Sequence, residues 1–112
     1  MTFKLFYTDY INDKHIKSDE AITSTIKEIG VCMANLLHEP DNFLGIIDDN
    51  DVMLQFMVEN DGSICVDLPV DERKGSFTKH TDLNSCIQLV ESLPEIIELD
   101  KIDSLVFTLW CR

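Results

Sequence analysis

The stretch 43–69 constrains the fold more than any other part of the sequence, because strand-like runs alternate there with turn residues. Its three apolar or alternating runs, the last followed by Pro69, are 43–47, 52–58 and 64–68. The second run places apolar side chains at every second position, which is the period of a strand. The turns contain 48–51 (DDND) and the pair Asp61 and Gly62, a strong hairpin signal. The pattern predicts a meander of three antiparallel strands.

Further elements are expected on both sides of this meander. Aromatic and apolar residues at 3–10 predict a first strand. A helical stripe then predicts a helix from Ser18, a plausible cap, to the region of Pro40. The residues of this stripe, spaced by four and three, are Ile22, Ile26, Ile29, Met33 and Leu36. A second helix is expected over 81–94, capped by its first or second residue, and a final strand is expected over 104–111.

Together these elements predict an α+β fold, with an antiparallel sheet of four to six strands, a central three-stranded meander and two helices. Residues 71–79 are expected to form a loop with a short strand around 76–78. The chain has 112 residues and is 45% hydrophobic. Residues 1–112 are therefore expected to form a single domain around one core.

The same composition bears on location. No run reaches the roughly 18–20 apolar residues that a membrane-spanning helix requires. The N-terminal segment lacks the apolar region and small-residue cleavage site of a signal peptide. We therefore expect a cytoplasmic protein.

The charge is concentrated in one third of the chain. The net charge is −12, and residues 39–72 hold ten acidic side chains with no Lys or Arg, whereas 1–38 and 73–112 are each close to neutral. Nucleic acids and anionic lipids both reward clusters of Lys and Arg, so neither is expected as a direct partner. A basic protein partner fits this charge better.

In a three-stranded meander the two turns lie at opposite ends of the sheet, so the acidic residues are not expected to form one compact patch but to make the meander broadly negative. Asp48, Asp49 and Asp51 belong at one end, with Asp71 and Glu72 near them, and Asp61, beside Glu59, belongs at the other end. Two interpretations are open: a solvated surface that keeps the protein soluble, or a surface that a basic partner recognises. The candidate partner-binding residues are Asp48, Asp49, Asp51, Glu59, Asp61, Asp67, Asp71 and Glu72. Asp67 has the alternative of an inward polar residue that bonds within the sheet.

The sequence predicts neither a cofactor nor a metal site. Residues 48–51 resemble part of a calcium loop, but the central Gly and the closing Glu are missing, and hairpin turns favour Asp and Asn in any case. The cysteines lack the close pairing of zinc ligands, so they are expected to be free structural thiols. They are Cys32, Cys65, Cys86 and Cys111.

Catalytic signals are weak as well. The chain has no nucleophile elbow, no glycine-rich phosphate loop and no HExxH motif, and it contains only four glycines. The three histidines, His15, His38 and His80, lie in separate parts of the predicted fold. We expect that the protein is not an enzyme. Trp110, in the final strand, is expected to lie in the core, with an interface anchor as the alternative.

Several short motifs resemble the bacterial immunity proteins that are encoded beside deaminase-type polymorphic toxins. In the meander they are 43–46 (FLGI), 52–56 (VMLQF), 61–62 (DG) and 66–69 (VDLP). A long helix before the meander, a second helix that begins like 81–83 (TDL) and a Trp in a closing strand, as at Trp110, also match. The likeness covers residues 18–110.

This resemblance implies an inhibitor without catalysis of its own. It would bind a cognate toxin domain, basic and of the deaminase type or otherwise directed at nucleic acids or nucleotides, and would block its active site. The charge distribution fits such a partner independently. The alternative is an acidic adaptor or regulatory domain that binds a basic protein unrelated to toxins.

Overall fold

A computed structural model describes residues 1–98 and 102–110, and it has the α+β fold. In chain order its elements are β1 (Thr2–Asp9), β2 (Lys14–Ile16), a 3-10 turn (Ser18–Glu20), β3 (Ile22–Thr25), α1 (Ile26–Leu36), β4 (Phe43–Ile47), β5 (Met53–Val58), β6 (Ile64–Val70), a second 3-10 turn (Asp71–Arg73), β7 (Gly75–Thr81), α2 (Leu83–Ser92) and β8 (Val106–Leu109). The described residues thus contain eight strands, and the prediction of four to six was too low. Cys111, the last residue of the predicted final strand, lies outside them.

One antiparallel sheet holds all of these strands, in the order β2-β1-β4-β5-β6-β7-β8. The short strand β3 pairs with the first half of β1, and β2 pairs with its second half. The predicted meander is confirmed as β4, β5 and β6, which lie next to one another at the centre of the sheet. The chain then continues this meander outwards through β7 and β8.

The added strands lie where polar residues weaken the sequence pattern. β7 pairs with β6 along seven residues, although only a short strand around 76–78 was expected. Its sequence GSFTKHT has a single large apolar residue, Phe77, so alternation could not reveal its full length. Pairing with an existing strand supplies the backbone hydrogen bonds that make such a polar segment a strand.

Helix α1 begins at Ile26, and the predicted start near Ser18 was wrong. The Thr25 hydroxyl accepts a hydrogen bond from the Glu28 N–H at 3.1 Å, and the Glu28 carboxylate accepts one from the Thr25 N–H at 2.8 Å. This capping box fixes the first turn of the helix. Ile22 does not belong to the helical stripe, because it lies in β3 and is 50% exposed.

Both helices pack on one face of the sheet. α2 begins where Asp82, one of its two predicted caps, accepts a hydrogen bond from the Ser85 N–H at 2.8 Å. The buried helix residues are Ile29, Met33, Leu36, Cys86 and Val90, and they contact the sheet residues Phe3, Leu5, Leu44, Ile46, Leu54, Phe56, Val58, Ile64, Val66 and Leu68 within one core. In the described part of the chain, no helix has the length and apolar character that crossing a membrane requires.

Neither α1 nor α2 covers the second face of the sheet, and we call it the open face. Strand alternation and register assign to it Lys4, Phe6, Thr8, Phe43, Gly45, Ile47, Met53, Gln55, Met57, Cys65, Asp67, Pro69, Ser76, Thr78, His80, Val106 and Thr108. Because a sheet face normally packs against something or carries polar side chains, this mixture of apolar and polar residues identifies the surface to inspect for function.

Candidate partner-binding surface

The open face presents large apolar side chains to solvent. Met57 is 43% exposed, Val106 is 65% exposed, and Met53 and Phe43 are half-buried. Phe43 pairs with Met57, and Ile47 pairs with Met53, across β4 and β5, and such clustered apolar side chains mark interaction sites more often than isolated ones do. Methionine adapts its shape to a partner better than branched side chains do.

Phe6 lies on the open face at β1, next to β4. Its side chain is only 4% exposed, yet it lies apart from the core under the helices. The ring lies over Gly45, where an added Cβ would overlap it. With Ile16, Phe43 and other residues, Phe6 lines a shallow cavity on the open face. Gly45 therefore leaves room for the Phe6 ring against the sheet.

Asp67 lies at the centre of the open face, between its register partners Gln55 and Thr78. Its carboxylate Oδ1 is shielded from solvent and has no hydrogen-bond partner among the described residues. Burial raises the pKa of the Asp67 carboxyl, and the Ser76 side chain partly opposes this rise. An unsatisfied buried acceptor costs free energy, so this oxygen is suited to a donor that arrives with a partner.

A first acidic cluster, Asp51, Asp71 and Glu72, lies at one end of the open face. All three residues are exposed, and they line one cavity together with Met53 and Trp110. The expectation that the acids of the first turn lie near Asp71 and Glu72 is therefore confirmed for Asp51. Here carboxylates surround an apolar floor.

A second acidic cluster, Glu59 and Asp61, lies at the other end of β5. These residues line a separate cavity with Ser63 and His80. The Ser63 hydroxyl and N–H donate to Asp61 Oδ1 at 2.7 and 2.9 Å, and these hydrogen bonds lower the pKa of the Asp61 carboxyl. Glu59 and Asp61 therefore lie apart from the first acidic cluster, as the meander predicted.

Asp48 does not belong to this surface, in contrast to our prediction. Its side chain is only 4% exposed. Oδ1 accepts hydrogen bonds from the N–H groups of Asn50 and Val52 at 2.8 and 2.9 Å, and Oδ2 accepts one from the Ile97 N–H at 2.7 Å. Asp48 thus holds the β4–β5 turn against the segment after α2. Its neighbour Asp49 is exposed and remains a candidate.

Trp110 also lies outside the core, so the expectation of a core residue was wrong. The side chain is 37% exposed, and its indole Nε1–H donates to the Ser76 hydroxyl at 2.8 Å on the open face. The Trp110 backbone N–H donates to the Lys74 carbonyl at 2.9 Å. A tryptophan that is fixed in orientation and partly exposed is the side-chain type that anchors interfaces.

None of the described lysines and arginines forms an ion pair with the two acidic clusters. Within residues 1–98 and 102–110, the ion pairs within 4.0 Å join only histidines to glutamates, His38 to Glu39 and His80 to Glu59. Arg73, the cation next to the first cluster in sequence, lies over the Phe107 ring, 4.0 Å from its centroid. The negative field of residues 39–72 is therefore available to a partner.

The open face also holds one group of potentially reactive or metal-binding side chains that was not predicted from the sequence. The ligand-type atoms of Glu59, Cys65 and His80 lie within 4.8 Å of one another. A thiol beside a histidine suggests a nucleophile, but burial, and then Asp67 and Glu59, raise the pKa of the Cys65 thiol. The thiol is therefore not activated for attack. Sequence spacing gave no signal, because strand pairing alone brings these residues together.

Comparisons of the chain with protein-family models, with curated protein sequences and with solved structures found no match. The candidate functional surface of the chain is the open face, with Asp67 at its centre, apolar side chains around it and an acidic cluster at each end.

Proposed function

We propose that the chain is an immunity protein that binds a cognate bacterial toxin domain in the cytoplasm and neutralises it by occluding its active site. It acts by binding and has no catalysis of its own. The observation that carries this proposal is the buried, unpaired Oδ1 of Asp67 at the centre of the half-apolar open face.

The chemistry of the open face defines what fits it. Asp67 is suited to an Arg or Lys that donates to Oδ1, because a charge-assisted hydrogen bond satisfies the oxygen and favours the ionised carboxylate. Met53 and Met57 supply apolar area around this contact. A toxin that acts on nucleic acids or nucleotides has a basic site for its anionic substrate, and the same site would accept this surface.

The acidic clusters serve the rate of association. Asp51, Asp71 and Glu72 at one end, and Glu59 and Asp61 at the other, create a negative field around the contact. Complementary charge at the rim of an interface mainly raises the association rate, while the buried centre sets the dissociation rate. Fast capture of a toxin is what a producing cell needs.

Co-expression of the chain with the toxin encoded next to its gene tests this proposal. The wild-type chain is expected to relieve killing and to co-elute with the toxin from a sizing column. Asp67→Lys places a cation against the basic site and is expected to abolish both effects. Glu91→Lys is the matched control, because it makes the same charge change at an exposed position on α2, away from the open face.

Unrelieved killing by the wild-type chain, with no complex on the column, would overturn the proposal. Equal loss of binding in Asp67→Lys and Glu91→Lys would show that toxin binding depends on the net charge of the chain and not on the open face. Capture of a basic protein other than the toxin, with toxicity unchanged, would favour an adaptor instead.

A further inference from the structure

The side chains of Glu59, Cys65 and His80 meet near the second acidic cluster. Cys65 on β6 and His80 on β7 are register partners on the open face, and Glu59 immediately follows β5. The Nε2 of His80 lies 3.8 Å from Oε1 of Glu59, and the three ligand-type atoms lie within 4.8 Å of one another. β6, β7 and the residue that follows β5 thus bring one sulfur, one nitrogen and one oxygen close together.

These distances suit a small cation. A tetrahedral zinc ion, with bonds of about 2.0–2.3 Å, places its ligand atoms about 3.3–3.7 Å apart. The separation of 3.8 Å between His80 Nε2 and Glu59 Oε1 is close to this range, and side-chain rotations bring the remaining separations, all within 4.8 Å, to it. His80 and Glu59 can make them, because their side chains are 60% and 43% exposed.

The donor set and its surroundings favour a divalent transition metal. Zn²⁺ prefers thiolate and imidazole ligands, whereas Mg²⁺ and Ca²⁺ take oxygen ligands. Asp61 lines the same cavity as Glu59 and His80, and Asp67 lies two residues along β6 from Cys65. These carboxylates add to the negative field that attracts a cation.

We propose that Glu59, Cys65 and His80 form a mononuclear Zn²⁺ site, with three protein ligands and a fourth position taken by water. As the Zn–S bond forms, the Cys65 thiol releases its proton to solvent. The site links β5, β6 and β7 at one end of the open face. Its assembly does not require the proposed toxin, since this chain supplies all three ligands.

Titration of the chelator-treated chain with Co²⁺, followed by displacement with Zn²⁺, tests the site. We expect one equivalent of Co²⁺ to produce a thiolate-to-metal charge-transfer band that Zn²⁺ removes. Cys65→Ser and His80→Gln are each expected to weaken binding by more than about tenfold. Cys32→Ser and His38→Gln, which change the same residue types away from the cluster, are expected to bind as the wild type does.

A second measurement on the wild-type chain needs no variant. Zn²⁺ is expected to slow the alkylation of Cys65, as located by mass spectrometry, and to leave the rate at Cys32 unchanged. Cobalt bound without a thiolate band, equal affinity in Cys65→Ser and Cys32→Ser, or unprotected alkylation of Cys65 would each overturn the assignment. Circular dichroism of each variant reports whether it has kept the fold.

Discussion

Replacement of Asp48 with alanine is expected to destabilise the fold strongly and to leave the partner-binding surface intact. Asp48 is 4% exposed and accepts three backbone hydrogen bonds, from Asn50, Val52 and Ile97. The first two close the β4–β5 turn. The third crosses 49 residues of sequence and ties the chain after α2 to the sheet.

The magnitude follows from what alanine leaves behind. The Ile97 N–H is buried and would lose its acceptor, which costs about 1–3 kcal/mol. The Asn50 and Val52 N–H groups are partly accessible, so water replaces their acceptor and the loss is about 0.5–1 kcal/mol for each. The expected decrease in the free energy of unfolding is therefore about 2–5 kcal/mol.

Urea unfolding, followed by circular dichroism, measures this decrease. Asp49→Ala is the control, because Asp49 is exposed in the same turn and its replacement is expected to change stability by less than about 0.5 kcal/mol. Asp48→Asn, which keeps an acceptor oxygen, is expected to lie between the two. If Asp48→Ala and Asp49→Ala had the same stability, the structural role of Asp48 would be refuted.

Three further predictions concern the open face. Gly45→Ala is expected to lower stability by about 1–3 kcal/mol, because its Cβ displaces the Phe6 ring, and Phe6→Leu in the same chain is expected to recover part of the loss in urea unfolding. Asp67→Asn is expected to stabilise the free protein at pH 7, because burial raises the pKa of this carboxyl in the folded state and its ionisation then opposes folding. Unfolding of both chains as a function of pH tests this explanation. The extra stability of Asp67→Asn must disappear below the unfolded-state pKa of Asp, about 3.9, and extra stability that persists there would refute the explanation. Replacement of all three residues of the first acidic cluster, Asp51, Asp71 and Glu72, with Lys is expected to slow toxin association and to weaken the salt dependence of the association rate in stopped-flow measurements. Unchanged association rates would place the contact elsewhere.

The centre of the sheet could be predicted because its signals are local. Alternation over 52–58 and the pair Asp61 and Gly62 define β5, its turn and β6 without reference to the rest of the chain. Gly62 has a φ of +89°, the backbone conformation that this turn requires of glycine. The predicted meander was therefore confirmed.

The start of α1 shows why periodicity alone fails at an element boundary. Ile22 and Ile26 are four residues apart, as on a helix, but Ile22 is in β3. The deciding signal is the pair Thr25 and Glu28, a capping box that the sequence contains and that the apolar stripe concealed. Pairing of β3 with β1 then determines the conformation before the helix.

The candidate site could be predicted only as a region. Composition identified the acidic stretch, but it could not distinguish Asp48, which is buried in a turn, from the exposed Asp49 beside it. The burial of Asp48 depends on its contact with the distant Ile97 N–H, which no local sequence pattern reveals. The exposure of Trp110 likewise depends on how β8 pairs with β7, and thus on tertiary structure.

Hydroxyl-radical footprinting of the toxin complex shows whether the open face is the partner-binding surface. We predict that Met53, Met57 and Trp110 are oxidised more slowly in the complex than in the free chain. Met1, which is 57% exposed and precedes β1, and Tyr7, which is half-buried and packs against the core under the helices, should keep their rates. Unchanged oxidation of the first three residues in a formed complex, with protection elsewhere, would contradict this account.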